Sequence, residues 1–177
     1  MQLAILDRID ALRLGVPPIV DLYDNGDPRF AEDVKRWIHD AEEILTTGRL
    51  PAVSSLASLR GTLIAAEEGT VPAGVTFSGR TTPRKIRDAI AADVLRRADE
   101  QMVNAISNAA AQFAEADRLI RQLLPVAIKK GLIGSSATAS WSSIENDPDL
   151  GAIATHVIGL VGRGDALVLL GRALQQM

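Results

Sequence analysis

TPRKIRDAIAADVLRRADEQMVNAISNAAAQFAEADRLIRQLLPVAIKKG, residues 82–131, decides the fold. Thr82-Pro83 is a helix start: a hydroxyl accepts a bond from an orphan N–H, and proline fits the first turn because its missing donor is not needed there. Lys129-Lys130-Gly131 is the matching stop, with cations at the negative end of the dipole and then a residue tolerant of left-handed backbone. Between them Leu95, Ala98, Met102, Ala105, Ala109, Phe113, Ala116, Ile120, Leu123 and Ala127 recur in steps of three and four. That spacing places them on one helical stripe. At 1.5 Å per residue such a helix runs roughly 60–70 Å. Pro125 removes a ladder bond, so the spacing predicts a kink or break at Leu123-Leu124 and a central helix over about residues 83–124.

Shorter helices are expected on either side. Gln2 to Leu14 carries Leu3, Leu6, Ile9 and Leu12 or Ile5 on one face, and Gly15 with Pro17-Pro18 is read as its terminator. Asp27-Pro28 opens a helix to about Thr47, with Phe30, Val34, Trp37, Ile38, Ala41, Ile44 and Leu45 inward and Gly48 as its stop. A third helix, from Pro51 or Ser54 to Glu68, turns Val53, Leu56, Leu59, Leu63 and Ile64 inward. Residues 70–80 read as a loop, with a short hairpin around Val71 to Phe77 as the alternative. Asp147-Pro148 opens a helix to Val161. Gly162-Arg163-Gly164 turns the chain, and Asp165 is expected to cap a last helix to Gln176. The fold class expected is all-α: an antiparallel helical bundle of about six helices on one central helix. Its organisation is a single helical domain over 1–177, with a main bundle at 1–133, a flexible link at 134–146 and a C-terminal helical hairpin at 147–177.

Composition narrows the chemistry. The chain is 47% hydrophobic but only 3% aromatic, so its core is aliphatic and alanine-rich, which suits close helix packing. A net charge of -3 gives no global attraction for nucleic acid or anionic membranes, although residues 81–130 are net basic and both flanks net acidic. No cysteine is present, which excludes disulfides and thiolate chemistry. The apolar run from Leu150 to Val161 is too short to span a bilayer. With no secretory pattern at the N-terminus, the expected location is cytoplasmic.

Two histidines are the natural acid–base candidates. His39 lies one turn from Glu42 and Glu43, an arrangement that reads as a solvated helix face beside Trp37. His156, in an apolar helix, reads as a core or interface residue. Neither is preceded at three residues by glutamate, so the Glu-x-x-His signature of di-iron bundles is absent. Asp21 to Glu32 can be laid on a calcium loop with Gly26 and Glu32 in register, but the same residues also read as a turn into Asp27-Pro28. No cofactor or metal is expected.

One charged cluster stands out: Arg80, Arg84, Lys85 and Arg87, at the positive end of the long helix, where phosphate or an acidic partner is favoured. Two phrases near it carry a family resemblance. Gly48-Arg49-Leu50-Pro51 with Leu56-Ala57 is similar to the opening of GntR-type winged-helix regulators, and Ser78 to Ile86 looks like their recognition segment. The resemblance implies DNA binding through residues 80–87.

The leading expectation is a non-enzymatic helical interaction or assembly protein. A central helix that outruns its partners exposes apolar surface, so a homodimer is expected, with a protein partner as the other possibility. The alternatives are a nucleic-acid-binding regulator using residues 80–87, and a small-ligand or enzymatic role near His39 or His156.

Overall fold

The computed structural model describes residues 2–50, 52–71 and 82–176. Among these residues the chain is all-α, with eight helices and no strand. They are α1 (Leu3–Arg13), α2 (Val16–Asp24), α3 (Phe30–Thr47), α4 (Val53–Glu67), α5 (Pro83–Lys129), α6 (Ala137–Glu145), α7 (Gly151–Val161) and α8 (Arg163–Gln175). Two compact units divide the chain, one comprising residues 4–106 and the other residues 1–3 with 107–177. The 47-residue α5 supplies residues 83–106 to the first and 107–129 to the second.

In the unit of residues 4–106, α3 packs on both α2 and α4. The inner face of α3 is buried at every position its periodicity predicts, from Phe30 to Leu45. Ile5, Leu6 and Ile9 of α1, Leu56, Leu59 and Leu63 of α4, and Ile90 to Ile106 of α5 complete the core. Trp37 is 3% exposed, and its indole N–H donates to the Leu12 carbonyl at 2.9 Å, which satisfies its one polar atom. Ile64, expected inside, is 42% exposed.

The second unit packs α6, α7 and α8 against one another. Its buried residues include Phe113, Ile120, Leu123 and Leu124 of α5, Trp141 and Ile144 of α6, Val157 of α7 and Leu170 of α8. Gly151 is required at the start of α7: a Cβ there would lie 2.6 Å from the Glu145 carbonyl oxygen. Lys130 donates to both oxygens of Asp147, at 2.8 and 2.9 Å, and to Asp149 at 2.5 Å, tying the end of α5 to the turn before α7.

Several sequence expectations are corrected. Pro17-Pro18 do not end a helix; they lie in the first turn of α2, where backbone N–H groups have no intrahelical acceptor to miss. Residues 134–146 are not a flexible link: α6 forms there, because the Ser136 side chain caps it by accepting from the Ala139 N–H and because Ser140, Trp141 and Ile144 are buried. Among the described residues the helix count is therefore eight rather than about six. Nor does Pro125 end α5. Its ring is on an exposed face while Leu123, Leu124 and Ala127 are buried, so packing of that turn outweighs one lost bond.

Beyond that turn Gly131, at φ 67, closes a Schellman motif in which Leu132 N–H donates to Ala127 and Gly131 N–H to Ile128. The same pattern closes α3, but the left-handed residue is Arg49 at φ 53 rather than Gly48. Asp165 caps nothing on α8; its carboxylate accepts the Leu3 N–H at 3.3 Å, at the positive end of α1. Residues 72–81, read as loop or hairpin, lie outside the described residues.

Candidate functional site

Helix α2 has the sequence VPPIVDLYD, and none of its residues is buried. A nine-residue helix is unstable alone, so packing must hold it in place. One side faces α3, where the Tyr23 ring meets Phe30 at a centroid distance of 5.1 Å and an angle of 55°. Rings inclined in this way add to the area they bury. Even so, Val20 is 41% and Tyr23 42% exposed, and Leu14 just before the helix is 78% exposed. Tyr23 is the only tyrosine of the chain.

A groove of about 300 Å³ opens between α2 and α5. Val16, Val20 and Tyr23 form one wall, Phe30 the floor, and Ala92, Leu95, Arg96, Asp99 and Glu100 the other wall. The α5 residues recur at three- and four-residue steps and so share one face. Charged groups sit along that wall and are paired with one another. Arg13 of α1 grips Asp99 with two bonds, Nε to Oδ1 at 2.6 Å and Nη2 to Oδ2 at 3.3 Å. This hydrogen bond is the main cause of a raised Arg13 pKa, with the Asp99 and Asp10 charges adding to it. Arg96 bonds Glu100 and Asp93, both at 2.8 Å. An apolar, partly aromatic trough with a fixed polar edge can seat a large apolar side chain and orient what is attached to it.

The sequence-predicted basic segment is differently disposed. Arg80 lies outside the described residues. The Arg84 guanidinium donates to the Gly26 carbonyl and stands 3.4 Å from Asp88. Arg87 is half-buried, 3.9 Å from the same carboxylate, and Lys85 is exposed. Asp93 likewise meets Arg96 and Arg97, so the positive charge of this helix face is largely compensated within the helix.

His39 is exposed on α3, as a solvated face requires. His156 is exposed on α7 and is not a core residue. The buried side of α7 is set by Ala154 and Val157, which turns His156 outward. His156 sits near enough to Glu115 for its charge to lower that carboxyl's pKa, after the larger effect of the Arg118 hydrogen bond. Neither histidine lines the groove. Asp21 of the calcium-loop reading lies within α2, where its backbone is helical. Among the described residues no three histidine, aspartate or glutamate side chains converge on a metal position. Also among them, no single helix is long and apolar enough to cross a membrane.

Sequence reasoning missed the groove. Its signal was present: an apolar nine-residue segment holding the one tyrosine, between two helices with well-defined inner faces. Comparisons with protein-family models, with curated proteins and with solved structures find no match.

Proposed function

We propose that the protein is a non-enzymatic helical interaction module and that the groove between α2 and α5 is its docking surface. The observation that carries this is α2 itself, an apolar helix with no buried residue. Large exposed apolar side chains gathered in one place mark interaction sites, and tyrosine recurs at their energetic centres. A helix laid into the groove would bury Val16, Val20 and Tyr23 together, by the helix-in-groove mode of recognition.

A dimer would need a different surface from the apolar stripe of α5. From Leu95 to Ala127 the stripe residues are buried or half-buried within the chain, which leaves the groove as the better candidate for self-association. The basic segment supports nucleic-acid binding less well, because Arg84 and Arg87 face Asp88. A phosphate-binding surface would show binding that falls steeply with salt.

The test is a panel of helical peptides with one leucine stripe and neutral, cationic or anionic polar faces, titrated against the full chain by calorimetry. At least one member binds, and Val20→Ser with Tyr23→Ser weakens it tenfold or more while the far-UV spectrum stays native. Absence of binding across the panel, or binding indifferent to both substitutions, overturns the proposal.

A further inference from the structure

Resting on that docking reading, we infer that the groove takes an uncharged segment of a partner protein: a helix whose aliphatic or aromatic anchors are flanked by neutral polar residues. The α2 wall of the groove brings only Val16, Val20 and Tyr23, with Phe30 at the floor. The charged residues that line it, Arg96, Asp99 and Glu100, all belong to the α5 wall. Each of the three already has a partner of opposite charge. Arg13 holds Asp99 through two bonds, at 2.6 and 3.3 Å. Arg96 bridges Glu100 and Asp93, both at 2.8 Å, and Arg97 stands 3.6 Å from the other Asp93 oxygen. Three cations thus meet three anions, and the network as a whole is neutral.

That balance sets what the groove accepts. An ion brought against a paired rim must either stay hydrated, which holds its segment out of the trough, or displace a partner already in place. At Asp99 displacement means giving up a two-point arginine bond, which a lysine does not reproduce. A serine or glutamine flank has no charge to desolvate and leaves every pair intact, so the anchors seat on the apolar centre. Asp21 and Asp24 of α2 are exposed but lie outside the lining, and the Asp10 charge bears on Arg13 from one turn back along α1. Their pull on an approaching cation acts through solvent and is screened by salt. At physiological ionic strength the paired rim is what the segment meets.

The probes are three synthetic helical peptides with one leucine stripe, flanked along its length by glutamine, lysine or glutamate. Each is titrated against the full chain by calorimetry at low and at physiological salt. The glutamine peptide binds most tightly at physiological salt, and its affinity changes less than about twofold between the two conditions, because it has no charge to screen. Arg13→Gln uncovers Asp99 and strengthens the lysine peptide about two- to fivefold, the worth of one partly exposed pair, and Asp99→Asn does the same for the glutamate peptide. Equal or tighter binding of the lysine or glutamate peptide at physiological salt overturns the inference. So do peptide affinities that neither substitution moves. Both outcomes leave the docking module standing. If no peptide binds, or if Val20→Ser with Tyr23→Ser leaves the glutamine peptide's affinity unchanged, both proposals fall.

Discussion

The segments around α2 and α6 are built alike and behave in opposite ways. Each is a nine-residue helix followed by an Asp-Pro turn into the next helix. In each turn the aspartate side chain accepts a backbone N–H two residues on: Arg29 to Asp27 at 2.9 Å and Asp149 to Asp147 at 3.0 Å. Yet α2, the more apolar of the two, has no fully buried residue, while the serine-rich α6 buries Ser140, Trp141 and Ile144. Ser140 meets its hydrogen-bonding needs inside the core, donating to the Ser136 carbonyl at 2.8 Å and accepting from the Gly134 N–H at 3.0 Å. Apolar content therefore does not rank burial here. The helix with polar residues is structural, and the one with apolar residues has surface to offer.

Truncating the largest side chain of each segment gives the most direct challenge to this contrast. Trp141→Ala should cost about 3–5 kcal/mol, the usual range for a fully buried aromatic. Tyr23→Ala should cost under about 1 kcal/mol, as exposed positions do. Urea unfolding measures both, and comparable losses would erase the distinction between the segments.

Next in size is Gly151→Ala, where the new methyl meets the Glu145 carbonyl oxygen at the end of α6. A loss of about 1–3 kcal/mol is expected, as for other overpacked sites. A neutral result in the same unfolding assay would mean that the junction of α6 and α7 yields easily. Its packing would then be no tighter than that of α2.

The smallest effect concerns the turn after α2. The Arg29 side chain, and then its backbone N–H, hold the Asp27 carboxyl down at about 2 from a usual 3.8. A carboxyl with a lowered folded-state pKa adds stability that is complete above its unfolded value and disappears as pH falls through the folded one. Asp27→Asn should therefore show a small, constant deficit above about pH 4 that closes towards pH 2. Thermal melts across that window check the direction. A deficit that persists below pH 2 would assign it to something other than the charge.

Much of the fold is legible in the sequence. The faces of α3 and α5 depend on long runs of regular spacing, and packing follows them at every position of α3 and at all but the half-buried Ala105 and Ala109 of the α5 stripe. Long elements average over many local choices, which is why they can be read. The short ones depend on a single residue whose role is ambiguous. Proline at positions 17 and 18 suits either the end of one helix or the first turn of the next. Ser136 is a helix cap or a linker residue according to whether Trp141 finds a core.

The candidate site depended on the same ambiguity. Reading Pro17-Pro18 as a terminator leaves no place for α2 or for the groove wall that Tyr23 helps to form. Arg84 and Arg87 meet Asp88, a carboxylate close enough in sequence for the pairing to be legible there. His156 misled for another reason. An apolar segment reads as buried all round, whereas α7 buries only Ala154 and Val157.

The hydrogen bond from Leu3 to Asp165 spans 162 residues of chain. Synthesis runs from the N-terminus, so Leu3 is made 162 residues before its partner and waits for it. One such bond is worth about 1 kcal/mol. Closing a loop of that length costs more than this by itself, so the bond forms only once other contacts have gathered the segments. The unit of residues 4–106 has its whole sequence available well before Asp165 exists. The unit of residues 4–106 is therefore expected to form first, with the Leu3–Asp165 bond of the other unit as a late step.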